Sequence, residues 1–290
     1  MKIHTYTLKS FTNSPEGGNP AGVVLDARGL TPNQMKQLSS HLQVSETAFV
    51  FPSQKADMHT RFFSPTTEVD LCGHATIALF HVLGNHQYMQ SSGTKLLTQE
   101  TKAGILPVIL SYADGHCTQV MMNQQHPQLE DCTFPLSALS QALGISKHEI
   151  DQSLPWQRVS TGLFTLPICV SSLSVLKSII PKKEKIIQLC KELDVGSLHV
   201  YTFETYELNS LYHARNFAPL YGILEDPVTG TANGAVCSYL HAHGRTPGSI
   251  LLCEQGDILG TPGRVHVKIG EQGVQVGGSA VQIQEEMVNI

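Results

Sequence analysis

Two stretches of this chain carry the same features in the same order, and that duplication limits the fold more than anything else in the sequence. The first reads Arg61-Phe62-Phe63-Ser64-Pro65, then a loop with acidic residues, then Cys72-Gly73-His74-Ala75-Thr76 at the head of an apolar stretch. The second reads Arg215-Asn216-Phe217-Ala218-Pro219, another acidic loop, then Thr229-Gly230-Thr231-Ala232-Asn233 ahead of a second apolar stretch. Each apolar stretch reaches a glycine, Gly84 or Gly244, read as a helix C-cap. A β-prone run follows each, residues 96–100 or 251–255. A unit of strand, proline loop, glycine turn, helix and strand that occurs twice predicts two like lobes. In the first copy Ala75, Ile77, Ala78, Leu79, Phe80, Val82 and Leu83 leave hardly any polar face. Such a helix belongs inside a domain, and with strands dominating around it the solution is a sheet curled about a central helix.

The surrounding segments agree. Residues 3–8 alternate apolar and polar, as a half-buried strand does. Further strands are expected at 21–25, 47–51 and 59–63, with a hairpin of 97–100 and 105–112 turned at Ala103-Gly104. Residues 31–42 have helical period, with Thr31 placed to cap and Pro32 in the first helical position. Helices are expected at 136–143, 173–179 and 184–193, interleaved with strands from residue 159 onward. The fold class is therefore α+β: two pseudo-symmetric lobes, each a mainly antiparallel, barrel-like sheet around a central helix. The boundaries are set at 1–117 and 118–279.

Composition excludes several functions. The net charge of −5 and the lack of a basic stripe argue against nucleic acid as a partner. No apolar run is long enough to span a membrane, and the opening MKIHTYTLKS has no apolar signal-peptide region. A soluble, cytoplasmic protein is the expectation. The seven cysteines form no CxxC pair and there is no HExxH, so no metal site is expected. His241 and His243, two apart on a predicted helix, are read as surface histidines, and Glu100 and Glu254, at equivalent strand ends, as surface groups.

The glycine turns suggest chemistry. A helix N-terminus presents unpaired N–H groups and about half a positive charge, and a glycine there lets an anion approach the backbone. Gly73-His74 and Gly230-Thr231 both fit, and neither belongs to a nucleotide-binding loop. Two such helix starts facing one cleft would hold a substrate carboxylate and stabilise negative charge developing on it.

Four segments resemble the phenazine-biosynthesis (PhzF-like) family, in that family's order: Gly18-Asn19-Pro20-Ala21-Gly22, Ser45-Glu46-Thr47-Ala48-Phe49, Cys72-Gly73-His74-Ala75-Thr76 and Glu225-Asp226-Pro227-Val228-Thr229-Gly230-Thr231-Ala232. The resemblance implies the diaminopimelate epimerase-like fold, a final strand near 280–290 returning to the first lobe, an active site between the lobes and no cofactor. It assigns proton transfer to Glu46, and positioning of substrate and proton to His74 and Asp226. It gives carboxylate binding to Gly73, His74, Gly230 and Thr231, with Asn19 lining the cleft. The substrate would be a small carboxylate-bearing metabolite, handled by cofactor-independent isomerisation. Desolvation of Glu46 on cleft closure would raise its pKa toward the working pH.

Two alternatives stand beside this. Epimerases and racemases of related fold use two cysteines, one per lobe. Cys72 matches the first, and the Thr229 region offers no second. The fold could also serve as a metabolite-binding module without catalysis. Specificity is expected from loops 53–56 and 154–166, and a homodimer is the default assembly.

Overall fold

The computed structural model describes residues 1–271 and 273–290. It divides into two compact units, Met1–Asn123 with Gly277–Ile290, and Gln124–Val276.

The first unit contains β1 (Lys2–Ser10), β2 (Asn19–Val24), α1 (Pro32–His41), β3 (Thr47–Phe51), β4 (Met58–Phe63), β5 (Glu68–Val69), α2 (Gly73–His86), β6 (Gly93–Thr101), β7 (Gly104–Ala113) and β8 (His116–Asn123). β1 pairs antiparallel with β2, β2 parallel with β3, and β3 antiparallel with β4. β4 then takes the short β5 antiparallel and β6 parallel, and β6, β7 and β8 continue as a meander. α2 touches β1, β2, β3, β7 and β8, strands from both ends of this series. The sheet therefore curls around the helix. Residues from Ala75 to Gly84 are buried on nearly every side, His81 apart. α1 lies on β3 and β4, started by a reciprocal cap between Thr31 and Gln34.

Two expectations need correction here. Gly84 does not end α2, which runs on to His86. A Cβ there would stand 2.8 Å from Cys117 Cβ, so the glycine serves close packing against β8. The first unit also extends past residue 117, because β8 completes the meander on β7.

The second unit contains β9 (Gln128–Asp131), α3 (Leu136–Leu143), β10 (Gln157–Ser160), β11 (Phe164–Cys169), α4 (Leu173–Ser178), α5 (Lys183–Leu193), β12 (Ser197–Thr202), β13 (Tyr212–Ala218), β14 (Ile223–Asp226), α6 (Gly230–Ala242), β15 (Ile250–Gln255), β16 (Gly263–Gly270) and most of β17 (Gly273–Gly278). β10 pairs antiparallel with β11, β11 parallel with β12, and β12 antiparallel with β13. β13 takes the short β14 antiparallel and β15 parallel, and β15 pairs antiparallel with β16. That is the pairing order of β1 to β7, strand for strand. α6 occupies the place of α2 and packs on β10, β11, β12 and β16. A second core, built from α3, α4, α5 and β11–β12, covers the outer face. The final strand, β18 (Ala280–Asn289), returns to the first unit and pairs antiparallel with β1 along its length.

The expected class, two like α+β lobes each with a helix inside a curled sheet, is what the chain forms. Even small devices repeat. Arg61 forks onto Glu68 and lies 5.0 Å from the Phe63 ring. Arg215 forks onto Glu225 and lies 5.0 Å from the Phe217 ring. Among the described residues no helix is long and apolar enough to cross a membrane.

Candidate active site

In the first unit the sequence brings three reactive groups to the start of α2. Cys72 is the N-cap residue, Gly73 and His74 open the helix, and Glu46 ends the loop before β3. The Glu46 carbonyl accepts from the Gly22 N–H at 3.0 Å, which fixes that loop end to β2. Glu46 Oε2 lies 3.2 Å from His74 Nε2, and both side chains are largely covered, with 19% and 12% exposed. Cys72 Sγ is 3.4 Å from His74 Nδ1 and 3.9 Å from Glu46 Oε2.

The environment sets the charges. Burial alone would raise the Glu46 pKa, as the sequence reading expects. The hydrogen bond and charge of His74, with help from Ser45 and Cys72, outweigh it and hold the carboxyl below the usual value. Burial disfavours the His74 imidazolium, but the Cys72 sulfur and the Glu46 carboxylate lift its pKa well above that of ordinary histidine. Burial pushes the Cys72 thiol up, against the pull of His74. The two shifts together favour a Glu46 carboxylate beside a His74 imidazolium.

Three neighbours complete the arrangement. Ser45 Oγ lies 3.2 Å from His74 Nε2, and Ser10 Oγ donates to the His74 carbonyl at 2.7 Å. Asn19, only 2% exposed, pairs with Ser10 across β1 and β2. Ser10 was not legible in the sequence, since nothing in a serine on the first strand points to a residue so much later in the chain. Ser45 was readable only as part of its motif.

Glu46, Cys72 and His74 are also the one trio among the described residues whose ligand atoms all lie within 4.8 Å of one another. Zinc accepts such a donor set. Here a metal would have to compete with the protons through which His74 contacts Glu46 and Cys72.

In the second unit Asp226 ends β14, and Gly230 and Thr231 open α6. Thr229, the N-cap residue, directs its hydroxyl not to its own helix but to Asp226 Oδ2, at 2.5 Å. Neither N-cap residue, Cys72 of α2 or Thr229 of α6, caps its own helix with its side chain.

The sequence also missed Gln255, at the end of β15 and 1% exposed. Its carbonyl oxygen accepts from the Thr229 N–H at 3.0 Å and Asn233 Nδ2 at 2.8 Å. Its amide donates to the Asp226 carbonyl at 2.9 Å and Thr229 Oγ1 at 3.1 Å. One side chain thus ties the Asp226 loop to the start of α6. The next residue, Gly256, has φ +94°, and a Cβ there would fall 2.3 Å from the Thr261 carbonyl oxygen. Only glycine fits that position.

Glu254 corrects another expectation. It is fully buried, 2.9 Å from His213 Nδ1, and accepts the N–H groups of Tyr206 and Glu207. Glu100 is half-buried and accepts from Ser53. His243 is half-buried against Gln157, while His241 is exposed.

Comparisons with known proteins agree with this architecture. Residues 8–286 match the model of a family described as phenazine biosynthesis-like protein. The chain is 36% identical over 287 residues to the uncharacterized isomerase YfhB of Bacillus subtilis, covering 97% of each chain. It is 28% identical over 284 residues to the trans-2,3-dihydro-3-hydroxyanthranilate isomerase of Pseudomonas aeruginosa, covering 97% of this chain and 95% of that one. The crystal structure of a phenazine biosynthesis protein of the PhzF family from Bacillus anthracis superposes with a TM-score of 0.90 at 34% identity, covering both chains fully.

Proposed function

The chain belongs to the phenazine biosynthesis-like family, and from that membership we propose that it is a cofactor-independent isomerase that shifts a proton beside the carboxylate of a small metabolite. The observation that carries the reading is the Glu46–His74 contact of 3.2 Å at the uncapped start of α2.

The Glu46 carboxylate takes a proton from the carbon next to the substrate carboxylate. The electron pair left by that C–H bond moves into the carboxylate, giving an enediolate. The His74 imidazolium and the backbone N–H groups of Gly73 and His74 stabilise the added charge. The protonated Glu46 then returns its proton to a second carbon of the conjugated system, and the carboxylate is restored. One group removing and delivering the proton gives transfer on a single face. Asp226, Gly230, Thr231 and Asn19 are assigned to substrate binding in this reading, on the strength of the family resemblance.

The low resting pKa of Glu46 makes it a weak base until substrate arrives. A substrate carboxylate drawing on His74 weakens the interaction that holds the Glu46 pKa down, while the burial that raises it remains. Binding therefore strengthens the base as it positions the carbon acid.

Cys72 supports a second reading, epimerisation, because its sulfur touches His74. Inversion needs an acid and a base on opposite faces of one carbon, roughly 6–7 Å apart if each reacts across about 3–3.5 Å. Cys72 Sγ and Glu46 Oε2 are 3.9 Å apart, too close to flank a carbon. The spacing favours isomerisation.

The test is a screen of small unsaturated, amino and hydroxy carboxylic acids in deuterated water, with Glu46→Gln as control. The expected result is deuterium incorporation without inversion, lost in Glu46→Gln while binding persists. Incorporation that survives in Glu46→Gln and falls on thiol alkylation would move the assignment to Cys72. Tight binding without exchange would identify a binding module.

A further inference from the structure

The second unit holds a cavity of about 140 Å³ that the proposed reaction does not use. Its walls include the rings of Trp156, Tyr201, Phe203 and Tyr239, with Arg245 and Asp151 also lining it. Tyr239 lies on α6 eight residues beyond Thr231, roughly 12 Å along the helix axis. The cavity is therefore at the opposite end of α6 from the turn assigned to substrate.

The walls are fixed. The Tyr239 hydroxyl donates to the Pro155 carbonyl at 2.8 Å, which anchors the segment carrying Trp156. Trp156 meets Phe134 edge-on at 5.0 Å, and Tyr201 meets Phe203 edge-on at 5.7 Å. Phe203 nevertheless leaves 45% of its surface exposed, a large ring without a full partner. This segment also lies within the 154–166 loop that the sequence marked for specificity.

The charges are asymmetric. Arg28, Arg61, Arg158, Arg215 and Arg264 each hold a carboxylate. Among the described residues Arg245 is the arginine that does not. Asp151 already accepts the Ser153 N–H at 2.7 Å. The Cys169 thiol in the wall has its pKa pushed up to about 12, chiefly by burial, so no thiolate competes with an incoming anion. A cavity of about 150 Å³ holds a benzene ring. A planar acid can both stack on aromatic walls and engage a guanidinium fork. A phosphate dianion suits the site less, because it would meet the Asp151 carboxylate.

We propose that this cavity is a second ligand site, distinct from the Glu46 centre, for a single-ring aromatic monocarboxylate, its ring among Trp156, Tyr201, Phe203 and Tyr239 and its carboxylate on Arg245. Trp156 is the chain's only tryptophan, which provides the readout. The intact protein is titrated with benzoate, benzylamine and inorganic phosphate, followed by tryptophan fluorescence and calorimetry. Benzoate should change the fluorescence saturably, and Arg245→Gln should weaken it about tenfold or more, the loss of a charge-assisted contact. Arg245 is exposed, so that variant should keep its fold. Failure to saturate at millimolar benzoate, equal affinity in Arg245→Gln, or tighter binding of benzylamine or phosphate would each overturn the assignment.

Discussion

Replacing Gln255 with leucine tests how the second helix start is held. Leucine keeps roughly the same volume, so the change removes hydrogen bonds and leaves little cavity. Four bonds vanish, at 2.8 to 3.1 Å. Asn233 Nδ2 keeps a bond to the Thr229 carbonyl at 2.9 Å, so it is not stranded. The Thr229 N–H loses its acceptor, and the Asp226 carbonyl and Thr229 hydroxyl lose a donor. Asp226 and Thr229 are half-buried, so water can reach part of this damage. At about 1 kcal/mol net per bond, with a partial penalty for stranded groups, the loss is about 3–5 kcal/mol. Urea unfolding followed by Trp156 reports on the second unit, where that tryptophan lies. Amide hydrogen exchange at residues 229–231 should speed up as well. A loss under about 1 kcal/mol would refute the reasoning, because a merely adjacent glutamine costs no more than that on replacement. Unchanged exchange at those amides would do so too.

The remaining predictions follow from the ion pairs. Glu46, held low, and His74, held high, keep the carboxylate–imidazolium pair through neutral pH, so the exchange rate should be flat there, falling in acid as Glu46 protonates and in alkali as His74 loses its proton. His74→Ala removes the leading interactions that lower Glu46 and leaves its burial. The Glu46 pKa should rise and the acid limb move to higher pH; an unmoved limb in the pH–rate profile counts against the pair. Arg215, 8% exposed, also donates to the carbonyls of Leu176 and Ile179, so Arg215→Met strands Glu225 and two carbonyls and should cost about 3–5 kcal/mol. Arg61→Met breaks the equivalent but wetter pair, where Lys102 remains on Glu68, and should cost clearly less in urea titrations followed by circular dichroism. The Arg61 hydrogen bonds, with Lys102, lower the Glu68 pKa to about 2. A depressed folded-state pKa gives stability that is present above the unfolded value and lost as pH falls toward about 2. In Arg61→Gln the acid-side loss between about pH 5 and 2 should shrink, as read from thermal melts across that range.

What the sequence showed and what it hid follow from range. The repeated Arg-x-Phe-x-Pro and glycine-turn segments are local signals, and they placed both central helices and the topology around them. The Thr31 cap was legible for the same reason, whereas the return of the last strand came only from the family resemblance. Burial was not local. His59 and Glu100 face each other on β4 and β6, and His213 and Glu254 do so on β13 and β15, the same register in each copy. In the first copy the glutamate stays half-exposed beside Ser53 and Lys55. In the second, the chain after β12 folds over it, and Tyr206 and Glu207 donate their N–H groups to a carboxylate with no exposed surface. Two N–H donors and a histidine keep that buried acid ionised, with a pKa below the ordinary value although burial pushes the other way. The duplication therefore fixes which residues stand opposite each other. The loop that covers them decides whether the pair is a surface contact or a pin holding residues 206–207 to the sheet.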